Sequence, residues 1–241
     1  MTQAKVQPNL VTRSFTNFDL STLTIDSTFL KENPLSDSPV RHLPVMVPKG
    51  LRPTSGWPVV VMLSGFTGNG PYTFNLKAFE TGTPEVLDQA LGNGEAPRAL
   101  FVFCDAMTAW GGSQFIDSEG MGQYASYILN EVCPSVASSF GASADPNLWC
   151  AMGGSSGGYG ALQLSTLQDS SGNQKFGSAV AIAPDCFFEA SLIPELRTAL
   201  PHIRKMGGVQ KVREELKQGK LSRRKDWHTI LNAIAMGYCY A

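Results

Sequence analysis

Continuous apolar runs punctuate the chain at WPVVVMLSG (57–65), ALFVFCD (99–105), NLWCAMGG (147–154) and GSAVAIAP (177–184). Each is short and bounded by Gly, Pro or Asp, which predicts a strand covered on both faces. Two earlier stretches, LSTLTIDSTFL (20–30) and RHLPVMVP (41–48), alternate polar with apolar residues and predict an outer antiparallel pair. Between the later runs the period changes to that of a helix. Tyr124, Tyr127, Ile128 and Val132 share one face of 120–140, with Pro134 placed to kink it, and residues 156–168 predict a second helix. After Pro184 the pattern is helical only: a segment around 186–200, a charged one at 209–218, and WHTILNAIAMGYCYA at the end.

Strands alternating with covering helices predict an α/β fold, a three-layer sandwich around a mostly parallel sheet. The chain has 241 residues, of which 43% are hydrophobic, enough for one domain with a substantial core, with 185–241 as a helical excursion from it. The formal net charge of -1 argues against general attraction to nucleic acid or an anionic membrane and favours a small-molecule partner. Residues 204–225 hold nine of the 19 Lys and Arg against only Glu214 and Glu215. With no aromatics interleaved, that stretch reads as a solvated helical face. The start, MTQAKVQPNLVTRSF, lacks the apolar run of a signal peptide, and no later run is long enough to span a bilayer. Five widely spaced cysteines without a CxxC predict reduced thiols in a cytoplasmic protein. No HExxH, paired His or clustered Cys predicts a metal, GGSSGGYG lacks the Lys-Ser/Thr of a phosphate loop, and no cofactor is implied.

The chemistry is concentrated in GGSSGGYG (153–160), which follows a strand pattern and precedes a helix pattern. A strand, a sharp turn and a helix form the setting of a nucleophile elbow, whose serine needs small neighbours two residues before and two after. Gly153 and Gly157 satisfy this around Ser155, and Gly154 and Gly158 satisfy it equally around Ser156, so spacing leaves both registers open. VVVMLSGFTGNG (59–70) ends a buried strand in a Gly-rich loop. Acyl transfer requires backbone N–H groups aimed at a developing oxyanion, one after the nucleophile and one from such a loop. With Ser155 as nucleophile these are the amides of Ser156 and Phe66.

GGSSGGYGAL resembles the serine-elbow segment of the esterase D and enterochelin-esterase-like branch of the α/β-hydrolases, in which Gly-x-Ser-x-Gly-Gly-Tyr-Gly-Ala-Leu recurs. LSGFTG, DAMTAWGGSQF (105–115) and SAVAIAPDCFFE (178–189) are similar to further segments of that branch, in the same order, from about residue 17 onward. The resemblance implies an α/β-hydrolase fold, Ser155 as nucleophile, and hydrolysis of carboxylic esters or thioesters or transfer of their acyl groups.

A serine nucleophile needs a base, normally His oriented by a carboxylate. The histidines are His42, His202 and His228. The order Ser, acid, His excludes His42. His202 reads as a surface residue, and His228 heads an apolar helix. Asp185 follows the last apolar run, and with Ser155 and His228 it keeps the order of a compact triad. The family pattern places its acid and His after two further strands, so the resemblance also implies a sheet lacking its last two strands, with both partners beyond Ala241. Such a sheet would leave an unpaired edge and favour association between copies. Trp110 is a candidate wall of the substrate pocket, or a cap on the sheet edge. Two other readings remain: a hydrolase-fold binding module without turnover, and an acyltransferase.

Overall fold

A computed structural model of the chain describes residues 4–8, 14–76 and 78–241, with side chains from residue 14 onward. The amino-terminal stretch read above for a signal peptide lies partly outside these residues. The central sheet has seven strands: β1 (Ala4–Pro8), β2 (Phe18–Asp26), β3 (Val40–Pro48), β4 (Val59–Leu63), β5 (Leu100–Phe103), β6 (Trp149–Gly154) and β7 (Ser178–Ile182), in the spatial order β1-β2-β3-β5-β4-β6-β7. From β5 through β4 and β6 to β7 the ladders are parallel, and β3, β2 and β1 extend the sheet antiparallel. The six runs read from the sequence are all strands. The seventh, β1, falls outside those runs, because the alternation in AKVQP is only five residues long and ends in Pro.

The sheet separates two cores because successive side chains point to opposite faces. Leu43, Val45, Val61, Leu100, Val102 and Ala151 are buried on one face, under α2 (residues 124–140) and α3 (Ser156–Thr166). Met46, Phe101 and Phe103 are buried on the other with Phe18 and Phe74, against Leu87 and Leu91 of α1 (Thr83–Gly92). Helix α2 widens to a π-helix over Ile128–Val132 immediately before Pro134. Proline lacks the N–H and crowds the carbonyl four residues back, and the wider turn accommodates it without a break.

The strand β7 departs from the expectation of a run covered on both faces. It pairs only with β6, and Val180 and Ile182 are 42% and 56% exposed. Its apolar sequence therefore occupies an edge of the described sheet. Beyond it come α4 (Leu192–Lys205), α5 (Val209–Lys217) and α6 (Trp227–Cys239), of which α4 and α6 pack on each other. No described helix is long and apolar enough to cross a membrane.

Candidate functional site

The turn between β6 and α3 brings its backbone to one point at the carboxyl end of the parallel strands. Ser155 has φ 55° and ψ −124°, a left-handed conformation that costs a residue with a side chain roughly 1–3 kcal/mol. Its N–H donates to Ile182 O at 2.9 Å and its carbonyl accepts from Tyr159 N at 3.0 Å, so neighbouring backbone holds the strain in place. Ser155 is exposed, whereas Ser156 is 1% exposed and begins the helix.

The glycines distinguish the two registers. A Cβ on Gly153 would stand 2.5 Å from the Gly157 carbonyl carbon and 2.6 Å from Leu63 O, and one on Gly157 would stand 2.7 Å from the Leu63 carbonyl carbon. For the pair around Ser156, a Cβ on Gly154 would meet Ile182 O at 3.7 Å, an ordinary contact, and one on Gly158 would meet Ile182 O at 3.1 Å, tight but wider than the approaches at 153 and 157. Strand β4 thus passes too close for any side chain at 153 and 157, the pair that flanks Ser155. Gly160 has a separate reason, because its Cβ would stand 2.7 Å from the Phe115 Cβ.

The loop after β4 lies alongside. A Cβ on Gly65 would be 3.8 Å from the Ser155 Cβ. Phe66 follows, its carbonyl accepting from Gly112 N at 2.8 Å, and Gly70 N donates to Cys104 O at 2.8 Å, which fastens the loop to the end of β5. Among the described residues no acceptor is recorded for the Phe66 N–H. Ser156, as the first residue of α3, has no carbonyl one turn back to receive its own N–H.

Asp185 reaches the same point. Its Oδ2 accepts from Ser155 Oγ at 3.1 Å and from Ser156 Oγ at 3.4 Å. Among the described residues no histidine hydrogen-bonds Ser155 or Asp185. His228 is exposed near the start of α6, and its ring stands edge-on to that of Phe66 with centroids 5.7 Å apart. His202 pairs instead with Asp226 at 2.6 Å, and His42 with Thr24 Oγ1 at 3.1 Å. Trp110 is 2% exposed and stacked on Tyr238, turned into the core.

Gln114 was not singled out from the sequence. It and Phe115 both take φ above 50°, at 55° and 58°, and Gln114 Nε2 donates to Ser156 Oγ at 3.2 Å from a side chain 1% exposed. One amide in a run of small residues carries no local signal, and only the fold shows that it touches the turn.

Asp226 at the N-cap of α6 is held down to about 2 by the Arg224 guanidinium and by its hydrogen bond to His202. A depressed carboxylate stabilises the folded state above its unfolded value near 3.8 and loses that contribution as pH falls toward 2. Urea midpoints of the wild type and Asp226→Asn should therefore differ at pH 5 and converge below about pH 2.

The Esterase family model, described as "Putative esterase", matches residues 39–199. The chain belongs to this esterase family. Its fold is that of the α/β-hydrolases, as similar solved structures show. A ferulic acid esterase superposes with a TM-score of 0.52 at 20% identity, over 71% of this chain and 60% of its own. Acetyl xylan esterase 1 from Thermoanaerobacterium sp. gives 0.53 at 12% identity, over 100% of this chain and 68% of its own. The fluorophosphonate-binding serine hydrolase F of Staphylococcus aureus gives 0.51 at 16% identity, over 70% of this chain and 58% of its own. The esterase chain thus spans about 60% of the length of the first of these. No curated protein matches it.

Proposed function

We propose that this esterase-family chain cleaves carboxylic esters or thioesters through an acyl-enzyme on Ser155. The observation that carries the reading is the backbone of Ser155, a residue other than glycine held at φ 55° and exposed at the tip of a strand-to-helix turn. Such strain persists only where surrounding structure enforces it, and it is the mark of a nucleophile elbow. Ser155 Oγ attacks the ester carbonyl, and the amides of Ser156 and Phe66 hold the oxyanion at the positive end of α3. The alcohol or thiol leaves, and water resolves the acyl group. The five cysteines, widely spaced and without a CxxC, fit a reducing, cytoplasmic setting.

The proton on Ser155 Oγ needs an acceptor stronger than a lone carboxylate. Asp185 Oδ2 stands where a triad imidazole would bond the serine, so turnover requires an imidazole to enter between the two. His228 is the described histidine whose ring meets that of Phe66, in the loop that carries the second oxyanion amide. Hydrolysis of a small aryl ester by residues 1–241 tests this assignment. Loss of at least about a hundredfold in His228→Ala identifies His228 as the base. Unchanged turnover in His228→Ala contradicts that role and assigns the base to another group.

A further inference from the structure

Beside the turn, α4 and α6 enclose a small cleft of about 50 Å³ lined by Gln114, Asp185, Glu195, Asn232, Met236 and Tyr240, among others. Its charged groups are both carboxylates, and although the Asn232 amide and the Ser191 and Tyr240 hydroxyls also line it, the Asn232 and Ser191 donors are engaged, by Glu195 and by Phe187 O. Gln114 Oε1 is buried and has no hydrogen-bond partner among the described residues. Asp185 accepts the two serine hydroxyls through Oδ2, and among the described residues its Oδ1 accepts nothing. Glu195 Oε2 accepts from the Asn232 amide, and its other oxygen likewise has no recorded donor. Among the described residues no Lys, Arg or His lines the cleft. The rings of Phe188 and Tyr240, with centroids 5.1 Å apart, flank it.

A buried acceptor without a donor costs roughly 1–3 kcal/mol, and two carboxylates facing one small space repel each other unless a cation lies between them. A group rich in N–H donors, carrying positive charge and no acceptor, resolves both. A primary ammonium has three donors for the three acceptor groups, is compact enough for the space, and is attracted to aromatic ring faces. A hydroxyl offers one donor, a quaternary ammonium offers none, and an anion is repelled.

We propose that this cleft is a subsite for a primary ammonium group borne by the substrate, beside the ester carbonyl at Ser155. The proposal rests on the role given to Ser155 above, and its test separates the two. Propylammonium, 1-propanol and tetramethylammonium are titrated into the wild type and Glu195→Gln near neutral pH, by calorimetry or ligand-observed NMR, with thermal unfolding confirming that the variant is folded. Propylammonium should bind at least about tenfold more tightly than 1-propanol, and lose about tenfold in Glu195→Gln. Equal binding of propylammonium and 1-propanol, no binding of either, or no change in the variant overturns the subsite. Tetramethylammonium binding as tightly as propylammonium also overturns it, because rings rather than acceptors would then be the recognition element. Propylammonium binding by a chain whose Ser155 resists acylation would leave the subsite standing and remove the esterase reading. Acylation of Ser155 without ammonium binding would do the reverse.

Discussion

Replacing Ser155 with glycine should abolish ester turnover and at the same time make the protein more stable than the alanine variant. Both substitutions remove Oγ, so both should lower kcat/KM by at least about a thousandfold. They differ in what the backbone then tolerates. Alanine at φ 55° and ψ −124° keeps a Cβ in a conformation that L-residues rarely adopt, and glycine does not. Relief of that strain is worth roughly 1–3 kcal/mol, reduced by the greater chain entropy glycine carries in the unfolded state, up to about 1 kcal/mol. A net advantage of about 1 kcal/mol for Ser155→Gly corresponds to roughly 2–4 °C in Tm for a domain of this size. Calorimetric unfolding of the two variants reads it directly. Equal Tm values would mean that the strain at position 155 does not exceed the chain entropy of glycine, about 1 kcal/mol.

The second large effect is steric. Gly157→Ala should destabilise the fold by at least about 3 kcal/mol, because its Cβ would stand 2.7 Å from the Leu63 carbonyl carbon and 2.9 Å from Ser64 O, both backbone atoms. Neither can rotate away as a flexible side chain would, so α3 must shift off β4 or the turn must open. Gly154→Ala is the control, with Ile182 O at 3.7 Å as its nearest neighbour, and should change stability by no more than about 1 kcal/mol. Chemical denaturation of both variants measures the difference. A severe cost at 154 with a mild one at 157 would move the turn to the register around Ser156 and contradict the geometry.

These two positions also show where sequence reading ends. The strands β2 to β7 are legible because each is a run or alternation a few residues long, bounded by turn formers, and such a signal is local. The strand β1 offers only a five-residue alternation ending in Pro, and helix α1 has a mixed composition, TPEVLDQALG, that marks it weakly. At the site, the Gly and Ser content of 153–160 announces a tight turn, but either serine fits its spacing. What separates them is the approach of β4, a neighbour about 90 residues earlier in the chain. The same holds for Gln114, whose contact with Ser156 spans |i−j| of 42. Asp185 is a candidate by its place after the last apolar run and by order, and its bond to Ser155 depends on how the chain leaves β7. Trp110 was read either as a pocket wall or as a cap, and it is buried against Tyr238 because α6 folds back over the loop that carries it.

The central claim is that Ser155 is an activated nucleophile. Its most direct test is reaction of the purified chain with a fluorophosphonate, followed by peptide mass spectrometry to locate the adduct. Stoichiometric modification at Ser155, absent in Ser155→Ala, is the predicted result. A folded chain that takes no adduct, or takes it at Ser156 or elsewhere, would contradict the account.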